Sequence, residues 1–144
     1  QIYKDAWKKA GHQGEPNMVL RIPLYVAESK QHALSATAES MLRIYHQLGE
    51  ENLESAQHLD ADAKEERMRR GQELLSTTWE QAQRERVVVG TPEMVIERLN
   101  EMMDLFGLER FILEFNAGVG GGYTREMVEG SMRLFCDKVL PAFK

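Results

Sequence analysis

The residues best placed to do chemistry lie in two short strand-like runs and the loop that follows the second. Met18 to Ala27 reads Met-Val-Leu-Arg-Ile-Pro-Leu-Tyr-Val-Ala, and Phe111 to Asn116 reads Phe-Ile-Leu-Glu-Phe-Asn. Side chains alternate along a strand. Leu20, Ile22, Leu24 and Val26 therefore share one apolar face, and Val19, Arg21, Pro23 and Tyr25 share the other. In the second run Phe111, Leu113 and Phe115 oppose Ile112, Glu114 and Asn116. Both runs set polar groups opposite a face suited to helices. In the second these groups approach the C-terminal end, where parallel α/β folds bind their ligands. Glu114 and Asn116 are thus candidate binding residues. The alternative is a carboxylate ion-paired inside a barrel, with Arg21 as partner, and an amide that caps the loop. Tyr25 either stacks on a planar ligand or fills space. Pro23 has no N–H, which in a central strand suggests a bulge or local opening.

The loop carries Gly118, Gly120, Gly121 and Gly122 ahead of a helix opened by Thr124. Glycine permits close backbone approach and helix N-termini favour anions, but the string is not the dinucleotide fingerprint, and a plain turn is the alternative. Arg67, Arg69 and Arg70 suggest a phosphate cluster; interleaving with Glu65, Glu66 and Glu73 favours a solvated helix face. Cys136 reads as a structural thiol, since no histidine is near it in sequence. The four histidines are scattered without zinc spacing, so no metal site is expected, and one cysteine excludes an internal disulfide. Met94, Met102, Met103, Met127 and Met132 read as core filling.

Several helices must hold these segments in place. A short helix is expected from Tyr3 to about Ala10. Ser29 caps a second helix, with Leu34, Ala38, Met41, Tyr45 and Leu48 as its buried stripe and Gly49 as its stop. Asp62 and Glu65 look like a capping box for one helix carrying Met68, Leu75, Trp79 and Ala82 on a single face. Val87 to Gly90 is an extended approach to a helix with Thr91 as cap and Pro92 at its first position, buried along Val95, Leu99, Met102 and Phe106 and ended by Gly107. The last helix turns Val128, Met132, Phe135 and Val139 inward, and Pro141 stops it. The expected class is α/β: helix-rich, with two parallel strands whose sheet is unfinished.

The chain has 144 residues, enough for one compact domain but not for a complete (β/α)8 barrel of about 250. With 18 Lys+Arg against 23 Asp+Glu, a broad nucleic-acid face is not expected. No apolar run reaches the roughly 18 residues of a membrane span. A start at Gln1 without Met or signal peptide reads as a trimmed or processed chain or a fragment. The lone cysteine fits a reducing, cytoplasmic compartment.

Val89-Gly-Thr-Pro-Glu-Met-Val-Ile-Glu-Arg-Leu99, with Phe106-Gly107, Phe111–Asn116, Ser131-Met-Arg-Leu-Phe135 and Val139-Leu-Pro-Ala-Phe143, resembles the C-terminal end of luciferase-like flavin-dependent monooxygenases. Tyr3–His12 and Leu24–Glu28 fit the same family. The resemblance implies that residues 1–144 are a C-terminal portion of a (β/α)8 barrel that binds reduced flavin at its strand ends. It implies FMN, or a deazaflavin, together with oxygen and a small organic substrate, in a homodimer without nucleic-acid or membrane partners. Within that reading Glu114, Asn116, Gly118, Gly120 and Gly121 are cofactor-binding candidates, and Arg21 and Tyr25 are substrate-binding candidates. No catalytic residue is assigned. The long glycine run departs from the commoner, shorter loop of the family. The competing reading is a noncatalytic helical module that buries its open strands by self-association.

Overall fold

In the computed structural model, residues 2–117 and 122–143 are described. Helix α1 (Ile2–Lys9) buries no residue, and Trp7 Nε1 fastens the following turn by donating to the Gly14 carbonyl at 3.1 Å. Strand β1 (Leu20–Val26) follows. Helices α2 (Lys30–Ala56), α3 (Ala61–Leu75) and α4 (Trp79–Glu85) then lead to β2 (Val88–Gly90). Helix α5 (Pro92–Phe106), strand β3 (Phe111–Glu114) and helix α6 (Arg125–Leu134) complete the order. The chain closes with a π turn over Phe135–Val139 and a 3-10 turn over Leu140–Phe143.

Side-chain oxygens set five of the helix starts. Ser29, Asp60, Thr78, Thr91 and Thr124 each accept the backbone N–H three residues on, satisfying a donor that has no partner within the helix. Gly107 ends α5 in the left-handed region, at φ 62°, where glycine carries no Cβ penalty.

Three helix expectations are corrected. Gly49 does not stop α2: it keeps a right-handed helical backbone, and the helix continues to Ala56. Its missing side chain serves packing instead, because a Cβ there would lie 2.9 Å from the Gly71 carbonyl and 2.8 Å from Leu75. Gly71 reciprocates, so α2 and α3 cross backbone to backbone. The cap of α3 is Asp60, with Asp62 inside the first turn. The single helix expected to carry Met68 to Ala82 is two, because Ser76 ends α3, Thr77 turns its hydroxyl back to the Glu73 carbonyl, and Thr78 caps α4. Periodicity also runs past the packed partners: Phe106 is 48% exposed and Met132 45%.

The sheet has three parallel strands rather than two, in the order β2-β1-β3. Strand β1 divides its partners. Leu20–Pro23 pair with Phe111–Glu114, and Leu24–Val26 pair with Val88–Gly90. Pro23 stands at the hand-over, where the strand leaves one neighbour for the other.

The expected faces are borne out. Ile22, Leu24 and Val26 are buried against Val88, Val95, Leu99, Met102, Phe135 and Val139, with Leu20, Phe111, Leu113 and Phe115 half-buried around them. Phe115 and Phe135 meet edge to face at 5.3 Å, a favoured aromatic geometry. The second face carries its own cluster, in which Tyr25 meets Met41 and Tyr45 of α2, Ala82 of α4, Val87 and Tyr123. Helices thus cover both faces at the C-terminal half of β1, while Val19 and Ile112 at the other end stay exposed.

Arg69 and Arg70 are paired with Glu66, Arg69 also with Glu73, and Arg67 with Asn52, which is the solvated face expected of this segment. Cys136 is exposed on the π turn rather than packed in the core. Among the described residues no helix is long and apolar enough to cross a membrane, and no cluster of His, Cys, Asp and Glu is built to hold a metal.

Candidate functional site

Arg21 and Glu114 come from strands that pair side by side, and they are ion-paired with each other. Glu114 is the more sheltered partner, with its side chain 22% exposed against 69% for Arg21. One of the two readings open from sequence, a carboxylate held by a neighbouring arginine, is therefore the arrangement seen. The pair floors a cleft of about 570 Å³ between the sheet and α2, whose far wall is Met41, Ile44 and Leu48.

Arg86 closes that cleft. Its guanidinium lies 5.7 Å from the Tyr45 ring centroid and donates to Glu73 at 3.2 Å, while the Tyr45 hydroxyl donates to the Arg86 carbonyl at 3.4 Å. Arg86 Nε is enclosed and has no partner among the described residues. No pattern in the sequence marks this arginine, which lies outside both strand runs; only the return of α2 over the sheet brings it beside Tyr45.

Tyr25 lies apart from the cleft. It is 3% exposed and packs its ring 5.4 Å from that of Tyr123. The Tyr123 hydroxyl is enclosed without a partner in good geometry among the described residues, and the neighbouring Thr37 hydroxyl donates to the Ala33 carbonyl at 2.8 Å. Asn116 is exposed just beyond β3. Gly118, Gly120 and Gly121 lie outside the described residues. The structure thus joins Arg21 with Glu114 and brings neither Tyr25 nor Asn116 to them.

Burial disfavours a phenolate. It pushes the Tyr25 and Tyr123 hydroxyls up and raises Tyr45 from 10.0 to about 12; for Tyr45, Arg86 opposes the shift and Glu114 adds to it. A raised folded-state pKa means stability fully present below the unfolded value of 10.0 and lost as pH climbs through about 12. The denaturant midpoint is accordingly expected to fall over that window, and Tyr45→Phe to flatten the fall. Equal slopes for the two proteins would show that Tyr45 is not protected in the fold.

A second cavity, of about 520 Å³, lies at the C-terminal end of β1 among Glu28, Ser29, His32, Glu126 and Ser131. Ser131 is 2% exposed, and its hydroxyl accepts the Val26 N–H at 2.8 Å, stitching α6 to the strand end.

The family described as luciferase-like monooxygenase matches residues 1–109, three quarters of the chain. This chain belongs to the luciferase-like monooxygenase family. The match stops just before β3, so Glu114, Asn116 and the glycine loop lie beyond it. Among solved structures, the monooxygenase RslO1 from Streptomyces bottropensis superposes with a TM-score of 0.56 at 20% identity. The superposition covers 99% of this chain and 36% of that one, so the chain spans about a third of the relative's length. At that identity the likeness is one of fold: the three parallel strands and their helices are the counterpart of part of a luciferase-like barrel. No curated protein matches the chain.

The described residues do not themselves fit a flavin. At the strand ends, where this fold places ligands, the cavity presents Glu28 and Glu126 and has no lysine or arginine in its lining. That lining opposes a phosphate dianion. Tyr25 lines the same cavity, but it is 3% exposed and its ring is packed against Tyr123 and α2, which leaves no open face to stack on an isoalloxazine.

Proposed function

We propose that this chain is the C-terminal portion of a flavin-dependent monooxygenase, which as a whole brings reduced FMN, oxygen and a small organic substrate together. Membership of the luciferase-like family carries the reading. Flavin supplies the redox chemistry when bound, and the protein's task is to position it and limit water. In this reading β1 and β3 form part of the barrel wall, with the Arg21–Glu114 pair fixing their relative height. Asn116, Gly118, Gly120 and Gly121 are in this reading the cofactor-side contacts of this chain, and Arg21 is a substrate-side one. The phosphate cradle comes from other strands. A deazaflavin would suit the same arrangement. The enzyme acts as a homodimer in the cytoplasm.

The test compares this chain with the full-length product of its gene. Fluorescence quenching with FMN, oxidised and reduced, is expected to show tight binding by the full-length product and none below micromolar concentration by the chain alone. A full-length product that ignores both flavin and deazaflavin would overturn the reading. The exposed Val19 and Ile112 favour a second one, a noncatalytic module that associates through its open strands. Sedimentation equilibrium on the chain, together with absence of flavin binding by the full-length product, would select it.

A further inference from the structure

Helix α6 and the π turn that extends it carry two apolar lines, and the sheet uses only one. Ser131, Phe135 and Val139 are buried; Ser131 holds the end of β1, and the other two belong to the core beneath the sheet. Met132, Cys136 and Leu140, each one position further on, form a second line, and all three are exposed. One residue turns an α-helix by about 100°, so the second line lies on the flank of the helix, beside the buried one. Another residue on, Arg133 is exposed and pairs with Glu129, which marks the side turned to water. The π turn keeps both apolar lines straight. Its bond from the Leu140 N–H to the Phe135 carbonyl spans five residues and winds the backbone more slowly than an α-helix does. Val139 therefore returns to the line of Ser131, and Leu140 to that of Met132.

We propose that this flank seats a helix from the part of the barrel that this chain does not contain, packed alongside α6. The inference rests on the reading of the chain as a C-terminal portion of a larger protein. In a (β/α)8 barrel the helices form a closed outer ring, so each has a helix on either side. The π turn abuts α5, and α5 leaves the flank of Met132, Cys136 and Leu140 open. The chain spans about a third of the length of the structure that it superposes on, and the second neighbour comes from the remainder. Because α6 follows the last strand, β3, the helix that closes the ring beside it is the one after the barrel's first strand. The shape of the seat defines its occupant. Cys136 is a short side chain between two long ones, a hole that takes a bulky aliphatic or aromatic residue of the neighbour, as ridges fill grooves between packed helices.

Alkylation of Cys136 by iodoacetamide, followed on the tryptic peptide Leu134–Lys138, tests this in the full-length product and in the chain. The thiol is expected to react at least about a hundredfold more slowly in the full-length product, as befits a group reached only by local opening, and dilution should not change that. Met132→Glu gives a second readout. In the chain, where the position is exposed, its Tm should stay within about 1 °C; in the full-length product it would bury a charge and lower Tm by about 5 °C or more. Equal alkylation rates in the two proteins would overturn the proposal, as would a Met132→Glu substitution neutral in both. Protection that fades on dilution would give the flank to a second copy and overturn it too. A protected Cys136 without any flavin binding by the full-length product would leave the helix contact standing and the flavin reading fallen. Flavin binding with an unprotected Cys136 would do the reverse.

Discussion

Gly71→Ala is expected to destabilise the protein and Gly130→Ala to stabilise it, although both place the same methyl group in a helix. Alanine improves helix propensity by about 1 kcal/mol over glycine at either site. At Gly130 nothing lies within 4 Å of the added Cβ, so the gain is realised in full. At Gly71 the Cβ would meet Leu53 Cδ2 at 2.8 Å and the Gly49 carbonyl oxygen at 2.9 Å. The leucine can turn aside. The carbonyl cannot without moving α2, and overpacking of that kind costs about 1–3 kcal/mol. The clash outweighs the gain by up to about 2 kcal/mol, a fall in Tm of up to roughly 8 °C. Gly71→Leu should be worse still. Thermal unfolding of the three variants is sufficient, and a Gly71→Ala protein as stable as Gly130→Ala would mean the helices are not locked at that crossing.

Ser131→Ala should cost about 1–3 kcal/mol, the penalty for leaving a buried donor without an acceptor. The donor is the Val26 N–H, which ends β1 and reaches the serine hydroxyl 105 positions away in sequence at 2.8 Å. The loss has a local signature besides the global one: hydrogen exchange at the Val26 amide should speed up well beyond that of Leu24, buried in the same strand. Uniform acceleration along β1 would assign the effect to general loosening and remove the special role given to Ser131.

What was legible in the sequence was set by neighbours a few residues apart. Thr91-Pro92 and Gly107 frame α5 because caps and stops act within one turn of backbone. The two strand faces followed from alternation alone. What was not legible depends on distant chain. Glycine at Gly49 looks like a helix stop from sequence, and only the approach of Gly71 distinguishes a crossing from a terminus. Strand β2 is three residues long, too short for any pattern, and exists because Leu24–Val26 offer a free edge. The Arg21–Glu114 pair was one of two readings because alternation puts both residues on the same face; the register of the strands decides between them. Tyr25 was assigned to a ligand or to packing with equal reason. Helix α2, folding back over the second face, encloses it. Arg86 and Tyr45 were never paired in sequence, since 41 positions separate the hydroxyl from the carbonyl it reaches.

Strand β1 takes both its neighbours from later in the chain, and that imposes a wait during synthesis. Arg21 and Glu114 are 93 positions apart, an interval a ribosome covers in roughly 5–20 s at its usual rates. Until Val88–Gly90 has been made, which takes most of that time, Leu-Arg-Ile-Pro-Leu-Tyr-Val is a β-prone heptad with no strand of this sheet to join. Its two irregular residues then act as guards. The charge of Arg21 and the missing N–H of Pro23 interrupt the flat apolar edge on which a neighbouring nascent chain would stack. The same two residues that complicate the finished sheet keep its central strand single until its proper partners have been made.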